Sequence, residues 1–216
     1  MRSILLDLIL PSRCAGCALP GTSWCADCRR QLSGPFPVDR DRGDLPPTYA
    51  LGHYLGAPRR LVLAYKERGR RELAGVLGRA FASALPALPA ARAGPAGWVL
   101  VPAPSRPSAA RSRGGQHMAV VARRTAAELT RAGQPAACVP ALRLDARARD
   151  SVGLDATERA ANLVGRLRPH RVPPPGTPVV LLDDVVTTGA TAAACTSVLA
   201  AAGVPVTAVL TYTAAG

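Results

Sequence analysis

Apolar residues along this 216-residue chain come in short blocks separated by Pro, Gly and Arg. The sharpest block is Val179-Val180-Leu181-Leu182, which follows a Pro/Gly-rich break and is stopped by Asp183-Asp184. An apolar run without alternation predicts a strand buried on both faces, as in a parallel sheet. Trp98-Val99-Leu100-Val101, halted by Pro102 and Pro104, is a second candidate of this kind. Residues 48–55, 136–139 and 204–212 predict further strands, and 163–167 an edge strand. Helical spacing shows at 72–85, 117–132 and 192–202, with a short helical turn at 156–162. Gly56-Ala57-Pro58 predicts a turn, after which 59–65 continues as another apolar segment. Residues 31–47 and 84–97 read as linkers, and 142–155 as irregular and charged. Strands alternating with helices predict an α/β protein with a parallel sheet. The first linker divides the chain into an N-terminal module, 1–47, and a body, 48–216.

Composition sharpens this outline. The chain is 48% hydrophobic but only 4% aromatic, so its core must be built from Ala, Val and Leu. A formal net charge of +13 favours anionic partners, either phosphorylated metabolites or nucleic acid. General attraction to polyanions is the plainer alternative. Of 27 cationic residues, Lys66 is the sole lysine. No apolar run approaches the ~20 residues of a membrane span. The stretch 4–10 is short, is interrupted by Asp7, and lacks a small-residue cleavage site after it. Residues 3–10 therefore predict a short amphipathic helix, and the protein is expected to be cytoplasmic.

Cys14-Ala15-Gly16-Cys17 and Cys25-Ala26-Asp27-Cys28 form two C-x2-C pairs seven residues apart. Thiolate pairs at this spacing predict a tetrahedral zinc site of Cys14, Cys17, Cys25 and Cys28. Four protein ligands leave no open position, which makes the metal structural. Two disulfides are the alternative, disfavoured without a secretory signal. Cys138 and Cys195 lie in apolar settings and read as core thiols.

The strongest chemistry lies in residues 179–191. The strand is expected to end at two adjacent carboxylates, Asp183 and Asp184. A turn then carries Thr187, Thr188, Gly189, Ala190 and Thr191 into an alanine-rich helix start. Ligands of α/β proteins bind beyond the carboxyl ends of the strands. Free N–H groups at a helix N-terminus suit a phosphate dianion. The two acids would repel a bare anion, so their partner should be hydroxyls or a metal. One phosphate beside a pair of hydroxyls describes ribose 5-phosphate.

This arrangement resembles the phosphoribosyl pyrophosphate (PRPP) signature of type I phosphoribosyltransferases, in which the acids contact the ribose hydroxyls and the loop wraps the 5-phosphate. The wider chain resembles the ComF family, phosphoribosyltransferase-like proteins linked to natural competence. The resemblance rests on the four-cysteine knuckle after a leucine-rich start, Tyr54-Leu55-Gly56 and Ala64-Tyr65-Lys66. It continues through Val101-Pro102-Ala103-Pro104, Arg113-Gly114, Arg159 with Asn162, and the 183–191 signature. Two positions depart: Arg113-Gly114-Gly115-Gln116 lacks the family's aromatic, and Ser151 stands where a glutamine is usual.

The resemblance implies a type I phosphoribosyltransferase-like parallel sheet flanked by helices, with a small N-terminal zinc-binding module. It implies displacement of pyrophosphate from C1 of PRPP by a nitrogen nucleophile, with Mg²⁺ bridging pyrophosphate and ribose oxygens. Asp183 and Asp184 would hold the ribose, and Pro102, Ala103 and Arg106 would face the pyrophosphate. Arg111 and Arg113 would close over the leaving group, with Lys66 as a second cation. The rival is a non-catalytic ribose-phosphate-binding accessory protein that engages single-stranded DNA or competence proteins during DNA uptake. Only Trp24 and a few tyrosines offer stacking platforms for a single strand.

Overall fold

The computed structural model describes residues 12–32, 34–39, 45–105, 115–145 and 165–216. The chain opens with helix α1 (Ala26–Arg29), strands β1 (Phe36–Pro37) and β2 (Thr48–His53), and helices α2 (Gly56–Lys66) and α3 (Leu73–Ala84). Strand β3 (Trp98–Pro102), helix α4 (His117–Arg131) and strands β4 (Ala136–Cys138), β5 (Leu142–Leu144) and β6 (Leu167–Pro169) follow. Strand β7 (Val179–Val186), helix α5 (Ala190–Ala201) and strand β8 (Val206–Ala214) complete it.

Among the described residues, six strands form one sheet in the order β1-β2-β8-β7-β3-β4, while β5 and β6 pair separately and antiparallel. Within the large sheet every pairing is parallel except that of the two-residue edge strand β1. The expected α/β architecture, a mostly parallel sheet flanked by helices, is what forms. Residues Val179 to Leu182 are wholly buried because β7 is central and both of its faces are covered. Alternation sends Val180 and Leu182, with Leu100 and Leu210, toward the layer of α2, α3 and α4. Val179 and Leu181, with Val101 and Val209, turn to the other side, under α5 and the β5–β6 pair. Each fully buried Val or Leu side chain contributes roughly 1.5–3 kcal/mol relative to exposure. Helices α3 and α4 approach closely at Gly78, where an added Cβ would lie 2.6 Å from the Cβ of Arg124.

Several boundaries differ from the sequence reading. Strand β7 does not stop before the acids but carries them: Asp183 stands opposite Thr211, and Val185 opposite Thr213. The long partner β8 offers a continuing ladder, and the β-branched Val185 and Val186 extend readily along it. Residues 59–65 belong to a helix that begins at Gly56, with Pro58 in the first turn, where its missing N–H is not needed. The stretch 31–47 includes a short strand, β1, rather than linker alone. The second linker begins within α3 and a 3-10 turn, Leu85–Ala87. Leu142–Leu144 is a strand, and the edge strand lies at Leu167–Pro169, later than expected. The helix 3–10, the helical turn 156–162, Arg106, Arg111, Arg113, Ser151, Arg159 and Asn162 lie outside the described residues.

The strand order fixes where a ligand can sit. From β3 the chain moves outward to β4, then returns to β7 on the other side of β3 and proceeds away to β8. The direction of winding thus reverses between β3 and β7, and ligands of open α/β sheets bind beyond the carboxyl ends of the strands at such a reversal. Asp183 and Asp184 lie near the end of β7, and Ser105 follows β3.

Candidate functional site

Asp184 continues the Val180–Leu182 face of β7 and therefore points toward the helical layer. Its Oδ2 receives Lys66 Nζ at 2.8 Å and His117 Nε2 at 2.9 Å. Lys66 is the last residue of α2 and His117 the first of α4, so two helix ends converge on one carboxylate. Tyr65 ties these ends together by donating its hydroxyl to the His117 carbonyl at 2.9 Å. The other imidazole nitrogen, Nδ1, lies 2.7 Å from Ser105 Oγ. Gln116 clamps the same serine: its side-chain oxygen accepts from Ser105 N at 2.7 Å, and its amide nitrogen donates to Ser105 O at 3.2 Å. The preceding Ala103 donates its N–H to Leu182 O at 2.9 Å, which holds the turn after β3 against β7.

The two acids differ in electrostatic character. Burial alone would raise both, but hydrogen bonding from His117 and the charge of Lys66 hold Asp184 well below the usual carboxylate range. Asp183 Oδ1 accepts the Asp184 backbone N–H at 2.8 Å, and this bond and the charge of Lys66 lower it only in part. Burial and the neighbouring Asp184 charge push it well up.

Opposite pH dependences follow by linkage. Asp184 contributes stability above its unfolded value of ~3.9 that is lost as pH falls through its lower folded value. Asp183 contributes stability below ~3.9 that is lost as pH rises through its higher folded value. Asp183→Asn is therefore expected to raise the melting temperature at pH 8, with a stabilisation on the order of 1 kcal/mol that vanishes near pH 4. Thermal melts across that range check it; a gain that does not change with pH would remove the electrostatic explanation.

Beyond β7, Thr187 and Thr188 are exposed and Gly189 is buried. Gly189 takes φ 75° and ψ 0°, a left-handed conformation that glycine adopts without penalty. It opens α5 with no side-chain cap among the described residues, which suits the first-turn N–H groups to an anion. Ala190 and Thr191, expected in the loop, belong to the first turn of this helix. Pro102 ends β3, and Ala103 is buried at its exit.

The structure thus brings together Lys66, Asp183, Asp184 and the turn after β3, all named from sequence. It adds Ser105, Gln116 and His117 as side chains of the site. Gln116 was visible only as a departure from a family pattern, and His117 only as a polar residue opening a helix. Neither their spacing nor their type announced a partner 67 residues away in Asp184.

The four N-terminal cysteines form a second centre. Their Sγ atoms all lie within 4.8 Å of one another, and Cys17 and Cys25 are 3.6 Å apart. All six cysteines are free thiols, so neither disulfide alternative forms. Four sulfurs at ~2.3 Å from a zinc ion stand about 3.8 Å apart, so this cluster can bind a metal such as zinc. Cys14 Sγ accepts the N–H groups of Gly16 and Cys25, each at 3.4 Å. Burial raises the Cys14 thiol, but backbone donors from Cys25, Cys17 and Gly16 outweigh this and bring it to about 6. Cys28 is pushed up by burial and by the other thiols. Cys195 is fully buried and Cys138 half-buried in the body, where burial raises both. No helix among the described residues is long and apolar enough to cross a membrane.

No protein-family model matches the chain, and no curated protein matches it.

Proposed function

We propose that the crevice between β3 and β7 binds the ribose 5-phosphate part of PRPP, or of a related ligand, with Mg²⁺. In this reading the chain is a type I phosphoribosyltransferase-like protein of the ComF kind, associated with DNA uptake. The observation that carries the reading is one of placement. An acid pair adjoins an uncapped helix N-terminus, with a left-handed glycine between them, at the point where the winding of a parallel sheet reverses. The α5 amides with Thr187, Thr188 and Thr191 receive the 5-phosphate, and Asp183 and Asp184 receive the ribose hydroxyls.

In phosphoribosyl transfer the nucleophile's nitrogen bonds to C1, the C1–oxygen bond to pyrophosphate breaks, and the nitrogen releases a proton. Charge develops on both sides of C1, so positioned charges and donors lower the barrier. Carboxylate oxygens suit Mg²⁺, which prefers oxygen ligands and substrate phosphates and would neutralise the leaving pyrophosphate. Lys66, with its side chain 32% exposed, can turn from Asp184 to a leaving anion. Pro102, Ala103 and Ser105 shape the pyrophosphate side. The zinc-binding module is structural in this scheme. Titration calorimetry with PRPP plus Mg²⁺, against ribose 5-phosphate and single-stranded DNA, tests the assignment. Absence of sugar-phosphate binding would sink it.

The charge of +13 favours a second reading, a non-catalytic accessory protein on DNA. Its affinity for single-stranded DNA is expected to fall steeply with salt, because contacts to phosphates release counterions. Binding that barely changes between ~50 and ~200 mM salt would show that charge is not the driver.

A further inference from the structure

Resting on the ribose-phosphate reading, we infer that His117 is the positioning residue that lets the crevice recognise a ligand's ribose hydroxyls. It does so by locking the Asp184 carboxylate to the turn after β3. The imidazole is engaged at both nitrogens, with Asp184 Oδ2 at 2.9 Å on one side and Ser105 Oγ at 2.7 Å on the other. A carboxylate only accepts, so Nε2 carries the proton, and Nδ1 meets a hydroxyl that can either donate or accept. The link therefore holds whether the ring bears one proton or two.

Lys66 reaches the same Oδ2 but cannot set its angle. Its side chain is 32% exposed on a flexible stem, whereas that of His117 is 10% exposed. The ring is itself fixed, since Tyr65 holds its backbone carbonyl and Gln116 holds the backbone of Ser105. Both donors act on Oδ2, which assigns Oδ1 to an incoming hydroxyl in this inference. His117 thus makes the two strand ends on either side of the winding reversal behave as one rigid wall.

The test compares wild type with His117→Phe, His117→Gln and Ser105→Ala by calorimetry. The ligands are ribose 5-phosphate, 2-deoxyribose 5-phosphate and inorganic phosphate. Wild type is expected to prefer the ribose compound by about tenfold, the scale of one hydrogen bond to a charged group. His117→Phe should abolish that preference, while the affinity for inorganic phosphate, held at α5, stays unchanged. His117→Gln, whose amide again offers one donor and one acceptor, should retain it. Ser105→Ala should reduce it to about threefold by freeing the far side of the ring. It also reads the same property if His117→Phe does not fold.

A His117→Phe or Ser105→Ala protein with the full wild-type preference overturns the inference alone. So does an equal fall in affinity for all three ligands, which marks general damage. Wild type binding neither sugar phosphate overturns the ribose-phosphate reading and this inference with it.

Discussion

Asp184→Ala is expected to weaken PRPP binding by roughly ten- to a hundredfold, the effect of losing one good hydrogen bond to a charged group. Asp184 lies near the end of β7 with its carboxylate held ionised, so on the proposed reading its loss would remove both an acceptor for ribose and a negative charge near Mg²⁺. The substitution also strips the His117 and Lys66 side chains of their shared partner, and both are at least half buried. Asp184→Asn, which keeps shape and one acceptor, separates ligand loss from local unfolding. Gly189→Leu is expected to act more severely. Its φ of 75° places any larger residue in left-handed backbone at roughly 1 kcal/mol or more, and the side chain would crowd the amides that open α5. Equal PRPP affinity in wild type and Asp184→Ala would show that the acid pair is not the ribose site. Pyrophosphate release in the presence of a panel of nucleobases then distinguishes enzyme from binder.

One zinc ion per chain is the second expected result, with Cys25→Ser or chelation unfolding the knuckle. Structural zinc is worth ~10–16 kcal/mol in small zinc-finger peptides, so little of the knuckle's order should survive its loss. Trp24, 4% exposed, packs in the same cluster as Cys14, Cys25 and Cys28, and its fluorescence should report the change. Trp98, 8% exposed at the start of β3, should change little if the sheet of the body stays folded. The knuckle also rests on α2. Arg60 donates to the Gly16 carbonyl, Ala57 N donates to Gln31 Oε1 at 3.2 Å, and Arg70 reaches the Arg13 carbonyl at 2.6 Å. Because α2 ends in Lys66, zinc loss is expected to weaken ligand binding in the crevice as well. Elemental analysis finding substoichiometric zinc, with the four thiols freely alkylated, would remove the metal site.

The features legible in the sequence are those set by neighbours along the chain. The Val179–Leu182 block announced a central strand, because only a doubly covered strand can hide four apolar residues in a row. The cysteine spacing announced a cluster, because two-residue gaps turn paired thiols to one point. The acid pair and the Thr/Gly turn are likewise consecutive, and the structure places them side by side at the end of β7 and the start of α5. What tertiary structure alone decided is which side chains meet across distance. The end of β7 moved past the acids because β8 supplied a ladder for them, a fact of pairing that no local propensity contains. Lys66 meets Asp184 across 118 positions because α2 ends and α4 begins over the same face of β7. Ser105, Gln116 and His117 became parts of one wall only when the winding reversed between β3 and β7. Hydrogen bonds depend on three-dimensional distance, and a histidine at the start of a helix looks the same in sequence whether or not a carboxylate waits beside it.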